Sequence, residues 1–124
     1  MQWHRRLYSA IVHNLSEYFG TDSPLKTHLP GFQVRVGQSW MAEAVAQAIE
    51  QSSQLIVEAG TGTGKTFAYL LPALVSGRKT IISTGTKALQ DQLYHRDLPL
   101  LGKAAGRPIK TSLLKGRANY LCLY

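Results

Sequence analysis

Cysteine occurs once, at Cys122, which excludes an internal disulfide and suits a reducing compartment. Long apolar runs are missing too: nothing approaches the roughly 20 residues needed to span a bilayer. The opening residues Met1-Gln2-Trp3-His4-Arg5-Arg6 lack the apolar stretch of a secretory signal, which argues against export and for a cytoplasmic protein. The four histidines, His4, His13, His28 and His95, have no metal-ligand spacing and are expected on the surface. There is no internal repeat and no low-complexity segment. Acidic residues are scarce, with 7 Asp and Glu against 14 Lys and Arg, for a net charge of +7. That balance favours a polyanionic partner through phosphate contacts and counterion release. A soluble protein that is merely basic would show the same balance, so charge alone does not prove nucleic-acid binding.

What is present looks globular. The 124 residues suffice for one compact domain, with 44% hydrophobic and 17% charged residues. Leu7, Ile11, Leu15 and Tyr18 recur at helical steps and predict an amphipathic helix over Gln2–Phe19, ended by Gly20. Thr21–Gly31, with two prolines, reads as a loop. A second helix is expected over Ser39–Gln51, capped by Ser39, with Met41, Ala44, Val45, Ala48 and Ile49 on its apolar face. Leu55-Ile56-Val57-Glu58-Ala59 is a short β-rich run that suits a buried parallel strand. Lys65–Leu74 reads as a helix that Pro72 must kink or shorten, and Ser76-Gly77 breaks the chain. Thr80–Ser83 reads as a second strand, Lys87–Tyr94 as a helix, Pro99–Pro108 as a loop and Ile109–Leu114 as a third strand. Alternating strands and helices imply right-handed crossovers and a parallel sheet.

Between the first expected strand and the helix after it stands Ala59-Gly60-Thr61-Gly62-Thr63-Gly64-Lys65-Thr66, the spacing of a nucleotide phosphate-binding loop in the context such a loop requires. Glycines permit positive φ and let backbone N–H groups approach phosphate closely. The helix starting at Lys65 or Thr66 adds the positive end of its dipole. Lys65 would reach the β- and γ-phosphates, and the Thr66 hydroxyl would ligate Mg²⁺. A glycine-rich turn followed by a chance Lys-Thr is the alternative, and the joint demand of strand, spacing and helix weighs against it.

From about Gly31 onward the chain resembles the N-terminal part of DinG/XPD-type superfamily 2 helicases, most closely their bacterial DinG-like branch. Four stretches carry the resemblance in the family's order: Arg35–Gln38, Glu58–Thr66, Ser83–Leu93 and Leu114–Cys122. Ala59 stands where a phosphate loop usually begins with glycine, a substitution such helicases accept. The resemblance implies ATP and Mg²⁺ as cofactors and 5′ to 3′ action on DNA. It implies that Gln38, with Arg35 beside it, reads adenine, to which a side-chain amide offers a donor and an acceptor. Ser83–Leu93 looks like the family's motif on the single-strand path. Thr84 and Thr86, with Lys87 at the following helix start, would bind phosphates of single-stranded DNA, although Thr86 or Thr84 could equally cap that helix. Cys122 matches the first of four cysteine ligands of a 4Fe-4S cluster, which four thiolates are needed to hold; one cysteine makes the cluster an expectation for a longer protein only.

The resemblance also shows what is lacking. Such motors use a second acidic motif to hold Mg²⁺ and position the attacking water, and no Asp-Glu pair occurs in this sequence. The expected fold class is therefore α/β: a partial RecA-like phosphate-loop domain with a parallel sheet flanked by helices, preceded by an N-terminal helix. Residues 1–30 are expected to form that helix and a loop, and residues 31–124 an incomplete first ATP-binding domain ending where the Fe–S region starts. The expected function is that of the ATP-binding N-terminal part of a DNA helicase, truncated and inactive alone. A non-catalytic nucleic-acid-binding remnant and another phosphate-loop ATPase are the other readings.

Overall fold

The structure is a computed structural model that describes residues 15–106 and 108–120. Most of the expected helix over Gln2–Phe19, and Cys122, lie outside the described residues; residues 15–18 are helical. After them come α1 (Pro24–His28), α2 (Val36–Gln51), α3 (Lys65–Ser76), α4 (Lys87–Gln92), a π-helical turn (Leu93–Asp97), α5 (Leu98–Ala104) and a 3₁₀ turn (Arg117–Asn119).

Several of these elements depart from the pattern expected of the sequence, each for a local reason. Thr21–Gly31 is not all loop. Ser23 caps α1, its hydroxyl accepting from Leu25 N–H at 3.2 Å, and Pro24 sits in the first turn, where its missing N–H costs nothing. Helix α2 starts three residues before Ser39, because the Arg35 carbonyl accepts from both Gln38 N–H at 2.9 Å and Ser39 N–H at 3.2 Å. At its end Ser52 adopts a left-handed φ of 51°, and Ser53 N–H reaches back to the Ala48 carbonyl at 3.0 Å, which satisfies carbonyls the helix leaves open. Pro72 neither stops nor shortens α3: it is buried within a helix that runs on to Ser76 and ends where Gly77 takes φ +66°. Pro99 sits in the first turn of α5, so a helix occupies most of the expected Pro99–Pro108 loop.

Helices α2 and α3 pack along each other, and α1 rests on α5. The core joins Leu15, Phe19 and Leu25 to Ala42 and Ala46 of α2, Ala68, Leu70 and Leu71 of α3, Leu93, and Leu101 of α5. On α2 the buried positions are Gln38, Ala42 and Ala46, at steps of four, while the expected inward face is only half-buried. Small side chains there let the two helix backbones come close. Phe32 meets the ring of Phe67 edge-on at 6.5 Å, bracing the start of α3.

The expected parallel sheet is not there. Among the described residues no strand forms, and the segments read as strands carry no regular structure and no ladder. Residues 54–58 and 79–83 make no backbone–backbone hydrogen bonds among the described residues. Ile56 is 98% and Ile81 92% exposed. A parallel strand is stable when covered on both faces and paired at its edges. These segments have neither, so nothing offsets the entropy of ordering them into a ladder.

Candidate nucleotide site

In the loop that leads into α3, side chains hold the carbonyls of Ala59, Gly60, Gly62 and Gly64, while the N–H groups of Gly60–Gly64 make no backbone–backbone hydrogen bond among the described residues. Lys65 reaches back across it: its ammonium donates to the Ala59 carbonyl and to the Gly60 carbonyl, each at 2.6 Å. An ammonium has three N–H groups, so one stays available for an anion. Thr63 Oγ1 donates to the Gly60 carbonyl at 2.9 Å and tightens the same turn, of which Thr61 is an exposed member. Gly62 and Gly64 hold φ of +74° and +81°, a region that side chains with a Cβ avoid. Gly64 is the N-cap of α3, and its carbonyl accepts the helix's Ala68 N–H at 3.2 Å. The N–H groups at the start of α3 therefore face the loop, where the helix dipole favours negative charge.

Two residues from the start of α2 close onto this loop from outside. The exposed Arg35 guanidinium donates to the Gly62 carbonyl, and Gln38 Nε2 donates to the Gly64 carbonyl at 3.1 Å. Gln38 is 3% exposed, and its Oε1 has no hydrogen-bond partner among the described residues. The structure thus brings Arg35, Gln38 and the whole 59–66 loop together. A buried, unsatisfied amide oxygen costs free energy, which a ligand donor would recover.

Thr66 lies on the first turn of α3 and hydrogen-bonds the Tyr69 hydroxyl one turn along. Burial raises the Tyr69 phenol above its ordinary range, the Asp97 carboxylate adds to the rise, and the Thr66 hydrogen bond opposes it. Tyr69 therefore stays a neutral phenol. A threonine hydroxyl oxygen has lone pairs to offer a cation, so Thr66 is of the right chemistry to ligate Mg²⁺. Tyr69 was not singled out by sequence; its spacing of three from Thr66 on one helix is the signal that could have found it. The Fe–S expectation has no such support. Among the described residues no cluster of His, Cys, Asp or Glu could hold a metal, and one cysteine in the chain cannot supply four thiolates.

Thr84, Thr86 and Lys87 form a separate stretch at the start of α4. Thr86 is its N-cap, Oγ1 accepting from Leu89 N–H at 3.2 Å, and Thr84 Oγ1 donates to the Thr86 carbonyl at 3.2 Å. Lys87 is exposed. Sequence reasoning missed the strap that docks residues 114–120 on this helix. Gln90 Nε2 donates to the Leu114 carbonyl at 2.8 Å, Lys115 pairs with Asp91 at 2.8 Å, and Lys115 N–H donates to the Tyr120 hydroxyl at 3.0 Å. Lys115 holds the Asp91 carboxyl below its usual range. Charge is also segregated. Nine of the 14 Lys and Arg but only two of the seven Asp and Glu fall in residues 78–117, so that stretch carries the whole net charge of +7.

Known proteins match this sequence. The chain is 58% identical over 109 residues to the ATP-dependent DNA helicase YoaA of Haemophilus influenzae, covering 88% of this chain and 17% of that protein, and equally so to YoaA of Escherichia coli strain K12. It is 52% identical over 97 residues to the ATP-dependent helicase DinG of Mycobacterium tuberculosis, over 72% of this chain and 15% of that one. The chain spans about a sixth of the length of the first two of these relatives. No solved structure matches it. The family model for the DEAD/DEAH box helicase matches residues 40–119, from within α2 through the phosphate loop to the 3₁₀ turn, and the chain belongs to that family.

Proposed function

We propose that the chain binds ATP–Mg²⁺ at residues 59–66 and forms the nucleotide-binding part of an ATP-dependent DNA helicase. The observation that carries this reading is Lys65, folded back on the Ala59 and Gly60 carbonyls with one N–H left for phosphate. Gln38 Oε1 would accept from the adenine amino group, Thr66 would ligate Mg²⁺, and the free N–H groups of Gly60–Thr66 would surround the phosphates. The metal would neutralise charge on the β- and γ-phosphates; Lys65 and the backbone would hold them in place. In this reading residues 31–124 form the ATP-binding unit and residues 1–30 support it, in a cytoplasmic protein.

Single-stranded DNA is the proposed partner, engaged by Thr84, Thr86 and Lys87 in the basic stretch 78–117. Cys122 would join an Fe–S cluster only together with cysteines from outside this sequence. Among the described residues no helix is long and apolar enough to cross a membrane. Calorimetry with ATP–Mg²⁺ tests the reading: Lys65→Ala should abolish binding while the circular dichroism spectrum stays largely unchanged. Equal affinity of wild type and variant would defeat it.

A further inference from the structure

Arg35 stands beside Gln38 in sequence, but the two meet the loop differently. Gln38 is buried and keeps a free oxygen, so it can still address a ligand base. Arg35 is exposed and spends its contact on a backbone carbonyl at the middle of the loop, that of Gly62. A trans peptide is planar, with its C=O and N–H pointing in opposite directions. A guanidinium on the Gly62 oxygen therefore fixes the direction of the Thr63 N–H as well. It also polarises that peptide, which makes the N–H a stronger donor. Gly62 is the residue at which this matters most, because glycine at φ +74° has little intrinsic preference to hold the peptide in one orientation.

The second half of the argument is the pattern of carbonyls. Those of Ala59 and Gly60 are held by Lys65, that of Gly64 by Gln38 and by α3 itself, and that of Gly62, among the described residues, by Arg35. Without Arg35, the Gly62–Thr63 peptide would be free to flip and present its oxygen, rather than its N–H, to an anion. Arg35 also brings a positive charge to the loop's outer side.

We infer that Arg35 is a positioning residue for the polyphosphate, acting through the Gly62–Thr63 peptide and not through the adenine base. The inference rests on the phosphate-loop reading above and assigns Arg35 to a different part of the nucleotide from Gln38. It makes a specific statement about ligands: Arg35 should govern affinity for any Mg²⁺-bound triphosphate, base or no base, and leave the preference among bases alone.

Calorimetric titration of the full chain with ATP, GTP and inorganic tripolyphosphate, each with Mg²⁺, separates the two roles. Arg35→Met keeps the apolar stem of this exposed side chain and removes every donor. It should weaken all three ligands by a common factor of about tenfold, which is about 1.4 kcal/mol, and leave the ATP-to-GTP ratio unchanged. Arg35→Lys, which retains a cation able to donate to one carbonyl, should recover affinity to within about threefold of wild type, a rescue that loss of folding would not show. A changed ATP-to-GTP ratio with unchanged tripolyphosphate affinity would overturn the inference in favour of base reading. So would wild-type affinities in Arg35→Met, while leaving the phosphate loop itself intact as a reading. A wild-type chain that binds neither ATP nor tripolyphosphate would remove the nucleotide site and the role of Arg35 together.

Discussion

Gln38 Nε2 lies 3.1 Å from the Gly64 carbonyl oxygen, and a Cβ built on Gly64 would fall 2.2 Å from that same nitrogen. The helix start that contacts the loop and the glycine that opens α3 are thus fitted to each other at atomic distance. Gly64→Ala should both displace Gln38 and strain a backbone at φ +81°. The expected cost is about 1–3 kcal/mol of stability, with ATP binding lost. Denaturant unfolding checks the first and calorimetry the second. Wild-type values in both would show that the loop relaxes freely.

Leu71 and Leu101 are both fully buried, on α3 and α5, within one core cluster. Leu71→Ala should destabilise the chain by about 2–5 kcal/mol, and Leu101→Ala by a similar amount. Since typical domains have only about 5–15 kcal/mol in hand, either change should visibly lower the unfolding midpoint. A shift within the error of the wild-type midpoint would mean that this cluster is not what holds the helices together.

Asp91 has its carboxyl lowered by the Lys115 hydrogen bond, so the strap over α4 should depend on acid. A carboxyl lowered in the folded state stabilises it above the ordinary value and stops doing so as pH falls through the lowered one. The docking of Leu114–Tyr120 should hold at neutral pH and loosen below about pH 4. Amide shifts of those residues should move in that window in the wild type. In Asp91→Asn they should sit near the loosened position at every pH. A strap indifferent to both acid and the substitution would show that the Gln90–Leu114 hydrogen bond holds it alone. The effect on overall stability will be small, because the pair is partly open to solvent.

Thr84 and Thr86 carry the proposed contact with single-stranded DNA. Binding should be weak and independent of sequence, with a log–log salt slope of about −2 to −3, at ~0.7 per phosphate. Because Thr86 caps α4, Thr86→Val removes a cap worth about 1 kcal/mol as well as a hydroxyl, and Thr86→Ser is the control that keeps both. If the hydroxyls matter, Thr84→Val with Thr86→Val lowers affinity several-fold at fixed salt, and the serine variant does not. Binding that is indifferent to salt would remove the nucleic-acid assignment.

The glycine-rich turn at residues 59–66 was legible in the sequence because the pattern is local: eight consecutive residues supply the glycines, the lysine and the hydroxyl, and no distant partner is needed to recognise them. The contacts of Arg35 and Gln38 span 27 and 26 residues, and no local rule states which carbonyls they meet. Strand-like composition at Leu55–Val57 was legible as well, yet it states only a preference for extended backbone. A strand is a relation between segments, and here the partners are absent among the described residues. Helix ends were misplaced for a related reason. Ser39 looked like a cap by residue type, while the Arg35 carbonyl, which any residue could have supplied, set the true start. Residues 93–104 were the hardest to read. A π-helical turn inserts an extra residue between α4 and α5, so no single helical period runs through both, and Pro99, a residue type common in loops, opens a helix.

The bare Ile56 and Ile81 also bear on how this polypeptide behaves in concentrated solution. Both sit in stretches without regular structure that make no backbone–backbone hydrogen bonds among the described residues, and both present β-branched side chains to water. Such segments are templates for pairing with the same segment of another molecule. The net charge of +7 opposes that encounter only while salt is low, since screening shortens its reach to about 10 Å at 0.1 M. Colloidal stability of the chain should therefore fall as ionic strength rises, and recombinant material would keep best in dilute, low-salt buffer.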